Sequence, residues 1–309
     1  MNKAQMVHVG STSGQATRHL CGVVLFLAVL VLCWPTVKTV ANLGLQDDRY
    51  VQIAAAPFLV AFLAYWERSR IFRDVAWNPR LGIASLVFVF AAYFAFLRSS
   101  SYRPDSLRLP CAVCAVILAC MASFILCYGL RSFRAAWFPL CCLVLLIPVP
   151  APIMDRFTVA LEHASAATSY QMLRLVGIPV LAQGMKLALP GLEIEVAPEC
   201  SGIHSCLALA LVGLLASRVC LRSGWNRLAL VVSTIPIAIF KNAIRISVLA
   251  SLGAYVNRDV LLSPLHRKGG LVFTPLAVIL LVVLLVLLQK REAWAAKRRG
   301  VTRDIPGVL

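Results

Sequence analysis

The chain has 309 residues, 60% of them hydrophobic and only 14% charged, with a mean hydropathy of +0.83. That composition excludes an ordinary soluble globular domain. The net charge of +17 fits Lys and Arg gathered in the cytoplasmic loops of a membrane protein, and no aromatic-interleaved basic patch or nucleic-acid motif accompanies it, so nucleic acid is excluded as a partner.

Several runs approach the roughly 20 apolar residues that cross a bilayer. The expected fold is therefore all-α, a polytopic transmembrane helical bundle of about eight spans in contact with membrane lipid. Residues 1–19 form a polar, basic tail with no acidic residue. The first apolar helix, about 20–41, is too long for the core of a signal peptide and has no convincing cleavage site before Asn42, so it reads as a retained span. Further spans are expected at about 51–66, 81–97, 111–130 and 135–149, the last ended by Pro148, Pro150 and Pro152.

Residues 151–200 contain Asp155, Arg156, Glu162, Arg174, Lys186, Glu193, Glu195 and Glu199 and no apolar run of spanning length. Within them 155–175 reads as an amphipathic helix lying on the membrane surface, with Phe157, Leu161, Met172 and Leu175 among its apolar members. Residues 187–196, broken by Pro190-Gly191, alternate like a small hairpin. Spans six to eight are expected at about 203–219, 228–252 and 271–289, with Pro236 kinking the seventh. The organisation is then a cytoplasmic tail (1–19), a transmembrane domain (20–290) with an extracytoplasmic segment at 151–200, and a basic cytoplasmic tail (291–309). Basic clusters at 68–73, 131–134, 218–227 and 290–299 alternate so that, with the N-terminus inside, all four face the cytoplasm. The three arginines between spans three and four, Arg98, Arg103 and Arg108, are the misfit. On this topology the 151–200 segment faces outward.

Eleven cysteines are present, and all but Cys200 lie in apolar segments or at their ends, where Cys behaves as a small apolar residue. The scatter gives no disulfide framework. Cys111-x-x-Cys114 has redox or metal spacing but no second pair or nearby His. Cys200 differs. It sits in Glu199-Cys200-Ser201-Gly202-Ile203-His204-Ser205, at the start of an apolar helix, where free N–H groups and the positive dipole end favour a thiolate. A structural thiol prefers apolar packing; this polar setting argues for a nucleophile.

Two other residues are out of keeping with their surroundings. Arg245 lies inside the apolar seventh helix, at a cost of at least ~2.5 kcal/mol on insertion scales, so a functional role is expected of it. A structural ion pair with Glu199 or Glu195 is the plainer alternative. Asn242 lies one turn earlier on the same face and is placed to orient a substrate or the Arg. His266, in the loop expected at 253–270, is alone an ordinary interfacial histidine; on the same face as a thiol it becomes a candidate acid/base. Arg245 lies about eight residues, or roughly 12 Å, from the outer end of its span, within side-chain reach of that face. His204, four residues after Cys200, is an alternative base. Lys241 is also intramembrane, and the sequence assigns it no role. Glu193, Glu195 and Glu199 read as a solvated face rather than an acid/base pair.

Taken together, Pro198-Glu199-Cys200-Ser201-Gly202-Ile203-His204-Ser205, then Asn242-Ala243-Ile244-Arg245-Ile246, then His266 with Gly270 and Phe273, resemble the exosortase/archaeosortase family over roughly residues 20–290. The chain departs from the family at His204, where Arg or Asn is frequent. The resemblance implies a membrane cysteine protease or transpeptidase at the outer face of the cytoplasmic membrane. Its substrates would be exported proteins that end in a short motif, a transmembrane helix and a basic tail. Cys200, Arg245 and His266 would be the catalytic three, with Glu199, Ser201, Gly202, His204 and Asn242 supporting them. The reaction implied is acyl transfer through a thioacyl intermediate, and the sequence does not separate hydrolysis from transpeptidation. No metal, nucleotide or redox cofactor motif appears. The rival reading is a transporter or export-assembly scaffold with Arg245 and Lys241 lining a pathway; inverted repeats would favour it, and the two halves show no repeated pattern.

Overall fold

A computed structural model describes residues 3–73, 75, 79–99, 105–195, 202–256 and 264–298, with backbone only at 3–16, 97, 99, 105–106 and 264–271. The chain divides into two compact units, Met1–Ala151 and Pro152–Leu309. Six helices are long and apolar enough to cross a membrane, or up to eight spans if two bent helix pairs each count as one.

In the first unit, α1 (Lys3–Leu32) and α2 (Trp34–Gln46) meet at 83°. The span expected at 20–41 is therefore broken. Pro35, in the first turn of α2, explains the break: its missing N–H and fixed φ end one helix and start another. The expected span at 51–66 is α3 (Val51–Trp66), followed by a single turn, α4 (Arg68–Ile71). Then come α5 (Pro79–Ser99) and α6 (Asp105–Ala135). Val29, Cys33, Tyr93, Ala112, Val116 and Ala119 from α1, α5 and α6 form a shared core around the α1–α2 break. The expected fifth span differs: α7 (Trp137–Cys141) runs into a 3-10 turn, Cys142–Leu146, and this stretch has spanning length only when joined to the helix that follows.

The second unit carries the motifs. Its first helix, α8 (Ala151–Leu175), buries Thr158, Glu162, Ser165 and Ser169 along with Met154, Leu161, Ala166 and Leu173. The polar four recur at steps of four, three and four, one stripe of the helix. A three-stranded antiparallel sheet follows, order β1-β2-β3: β1 Leu181–Gln183, β2 Lys186–Leu189 and β3 Leu192–Glu195. Leu189 pairs with Leu192 across the expected Pro190-Gly191 turn, where Gly191 takes φ +74, a conformation that only glycine reaches without strain. Leu187 and Leu189 pack with Ala166 and Leu173 of α8 and with Ile246 and Ala250 further along the chain, and Ile194 and Ala254 border that cluster.

Helices α9 (Ile203–Cys220), α10 (Gly224–Tyr255) and α11 (Pro264–Arg298) share a core of Leu209, Leu221, Leu230, Ala277, Leu281 and Leu288. The three-residue link between α9 and α10 makes them antiparallel neighbours. Glu292 of α11 fixes the third helix against that link: its carboxylate accepts from Arg222 N–H (3.0 Å), Ser223 N–H (2.8 Å) and Asn226 Nδ2 (2.9 Å). The end of α10 and the start of α11 therefore lie at the opposite end of the bundle, and the shorter α9 starts short of it. His266, expected in a loop, has helical backbone in the first turn of α11.

Candidate active site

Gly202 is the N-cap of α9 with φ +75. Its carbonyl accepts from Cys206 N–H at 2.9 Å and from the Ser205 hydroxyl at 3.0 Å, which closes the first turn. Lys241 Nζ donates to Ser205 Oγ at 2.7 Å, with the lysine only 1% exposed. The start of α9 thus lies level with the middle of α10, not with its end. From Lys241 to Tyr255, α10 continues about 14 residues, roughly 21 Å, beyond that level.

Asn242 is fully buried. Its Nδ2 donates to Ser165 Oγ of α8 at 3.1 Å, and its other flank lies against Gly202, where an added Cβ would be 3.1 Å from Asn242 Cγ. The hydroxyl stripe of α8 continues along α10. Ser169 Oγ lies 2.7 Å from its own helix's Ser165 O and 3.2 Å from Ala243 O. Arg245, one turn beyond Asn242 and Lys241, is 7% exposed, and Glu162 on the α8 stripe is 3% exposed. Buried charges are expensive and mark sites when they recur together.

The sheet supplies the other boundary. Ile194 of β3 borders the cluster that holds Ile246 and Ala250, one and five residues past Arg245 on α10. The described residues on either side of 196–201 thus both pack near α10, Ile194 of β3 by the cluster holding Ile246 and Ala250, and Gly202 against Asn242. Glu199, Cys200 and Ser201 belong to this segment and lie outside the described residues. On α11, His266 is 26 residues from Glu292, while Arg245 is 21 residues from the start of α10 at Gly224, so at 1.5 Å per residue the His266 backbone stands about 8 Å further along the bundle than Arg245. His204, in the first turn of α9, is exposed.

Sequence reasoning missed the contribution of α8. Residues 155–175 read as an amphipathic helix on the membrane surface, yet Glu162 and Ser165 of that helix are buried; their i, i+3, i+4 spacing with Thr158 and Ser169 was the available signal. It also left Lys241 without a role, because its partner lies 36 residues away in sequence. A groove of about 570 Å³ runs between Arg174 at the end of α8 and Pro190 at the β2–β3 turn, and no expected site residue lines it.

The model of the transmembrane exosortase family matches residues 41–286, most of the chain and the whole of the second unit up to the last turns of α11. The chain belongs to the transmembrane exosortase family. Neither a curated protein nor a solved structure matches it. As an exosortase it is a multi-pass membrane protein with a protease- or transpeptidase-like role in general terms. The matched region of this exosortase takes in the Gly202 turn, the Asn242–Arg245 stretch and the first turn of α11.

Proposed function

We propose that this exosortase is a cysteine peptidase or transpeptidase that cleaves the C-terminal sorting signal of exported proteins at the outer face of the cytoplasmic membrane. Its substrates carry a short motif, a transmembrane helix and a basic tail. The observation that supports the reading is that Ile194 and Gly202, which flank the stretch holding Cys200 in sequence, pack near α10 on either side of the buried Arg245. Cys200, two residues before Gly202, is the nucleophile. Its thiolate attacks the carbonyl carbon of the scissile peptide, and the oxygen takes up negative charge. Arg245 stabilises that oxyanion with a planar fork of N–H donors. Collapse breaks the C–N bond, His266 protonates the departing amine, and a thioester to Cys200 remains. His266 then removes a proton from the incoming amine or water, which attacks the thioester and frees the thiol. An amine makes the enzyme a transpeptidase; water makes it a protease. Asn242 and Gly202, with Glu199 and Ser201 next to the nucleophile in sequence, are the supporting residues, and His204 stands close in sequence as a second basic group.

The test is Cys200→Ala in cells that express an exported protein with the tripartite C-terminus. The variant accumulates normally in the membrane while the substrate keeps its full length on immunoblot. Cys206→Ala, on the buried face of α9, processes substrate as the parent does. Continued cleavage by Cys200→Ala removes the thiol mechanism.

A further inference from the structure

The groove beside the sheet takes no part in the reaction just described. Arg174, in the last turn of α8, stands at one end of it and Pro190 at the other; Ile178, Val180, Leu181 and Leu189 are among its walls. Its volume is about 570 Å³. Arg174 is exposed. Its Nη1 donates to the Tyr170 hydroxyl at 3.4 Å, and its guanidinium lies 5.6 Å from the centre of that ring. Among the described residues no carboxylate lines the groove or pairs with Arg174. Leu175 and Val176, next to Arg174, and Leu181 on the wall are largely exposed. Apolar side chains clustered on a surface mark contact with a membrane or a protein, and the cation at their edge asks for an anionic group on whatever lies there.

Depth along α10 decides between the two. Arg222, Arg227, Lys290 and Arg291 gather near the α9–α10 link and beside Glu292, and charges at the ends of spans stand at the membrane–water interface. Counted from Arg227, Ile246 and Ala250 lie 19 and 23 residues further on, about 28 and 35 Å along the helix. The hydrocarbon core of a bilayer is about 30 Å thick, so these two residues stand at its opposite edge. Leu173 and Leu189 pack in one cluster with them, bordered by Ile178 and Val180, which sets the groove at the level of the lipid headgroups. We propose that the groove is a phospholipid site. The phosphate sits on the Arg174 guanidinium, whose planar fork matches two phosphate oxygens. The first methylenes of one acyl chain lie along Ile178, Val180 and Leu181, and Leu175 and Val176 meet the neighbouring chains. This site is separate from the reading of Cys200 as nucleophile and stands or falls without it.

The experiment is photo-crosslinking of the full-length protein in a phosphate-free maltoside detergent. One probe is phosphatidylglycerol with a diazirine near the glycerol end of one acyl chain; the other is the diacylglycerol with the same chains and no phosphate. Adducts are mapped by mass spectrometry to peptides covering 174–190. Phosphatidylglycerol should label them about tenfold more than diacylglycerol does, the worth of one charge-assisted contact. Arg174→Gln brings the phosphatidylglycerol yield down to the diacylglycerol level, and Arg174→Lys keeps part of the difference. Leu181→Glu, an independent change at the exposed wall, sets a carboxylate beside the phosphate and lowers the yield as far. Equal labelling of the parent protein by the two probes overturns the proposal, as does a phosphatidylglycerol yield that neither Arg174→Gln nor Leu181→Glu changes. If a photoactive water-soluble peptide from an exported substrate labels 174–190 and excess phosphatidylglycerol does not compete with it, the groove belongs to a protein chain and the lipid site is overturned.

Discussion

Gly202 and Asn242 are fitted to one another: a Cβ at position 202 would meet Asn242 Cγ at 3.1 Å and its Oδ1 at 3.3 Å. Asn242 has no room to retreat, being fully buried with its amide bonded to Ser165. Position 202 is thus glycine for two reasons, this contact and its φ of +75. A side chain in that left-handed conformation costs about 1–2 kcal/mol before any contact is counted.

Gly202→Ala should therefore lower thermal stability in detergent by an amount equivalent to about 1–2 kcal/mol. Processing should fall by far more than that loss explains. The turn shifts against Asn242 just where the chain leaves Cys200, and a displacement of about 1 Å near reacting groups costs on the order of 100-fold. Gly224→Ala, where an added Cβ meets nothing within 4 Å, is the control and should be silent in both measurements. Wild-type processing by Gly202→Ala would detach this turn from the reaction.

Orientation in the membrane rests on the alternating basic loops, and it decides on which side the chemistry happens. The sheet of the second unit gives it a handle. A cysteine at position 188, on β2 and lining the groove beside Arg174, in an otherwise cysteine-free background, should react with a membrane-impermeant maleimide added to intact cells. Reaction only after the inner membrane is opened would put the sheet, and with it the start of α9, on the cytoplasmic side.

The helices were legible where an apolar run alone decides the structure. Val51–Trp66 was bounded correctly, and Ile203–Cys220 and Gly224–Tyr255 extend the expected spans by a few residues, because length and hydropathy fix a helix in lipid. Breaks were harder. Pro35 splits the first span, and the run at 137–146 winds partly as a 3-10 turn, outcomes of backbone geometry that hydropathy does not register. His266 was expected in a loop at 253–270, yet the backbone from Pro264 on is helical; the two glycines at 269–270 lower helix propensity by only about 1 kcal/mol each, which a long apolar helix overrides. In the site, the oddity of Arg245 in an apolar helix was visible from sequence. The depth at which α10 meets the α9 turn, at Lys241 and Asn242, was not, since that depends on α9 being 18 residues long against 32 for α10. The stripe from Thr158 to Ser169 faces inward because α10 offers Asn242 and the Ala243 carbonyl as partners, and a single helix's pattern does not reveal its neighbour.

Arg245 separates an enzyme from a membrane scaffold. It is 7% exposed and stands on α10 between Asn242, which Gly202 touches, and Ile246, by whose cluster Ile194 packs. As an oxyanion donor its value lies in geometry, because a guanidinium presents fixed, parallel N–H groups while an ammonium is a compact charge on a flexible stem. Removing one such donor in other enzymes lowers the rate roughly 100- to 1000-fold. Arg245→Lys should therefore insert and accumulate as the parent does and process substrate at least about 100-fold more slowly, with Arg245→Ala slower still. If the arginine only balances a buried charge, as on the Glu162-bearing stripe of α8, lysine preserves that balance, and turnover by purified Arg245→Lys stays close to that of the parent. The ratio of the two turnover rates, measured on protein of matched melting temperature, decides the point: a ratio near one removes Arg245 from the catalytic set and leaves it a structural cation.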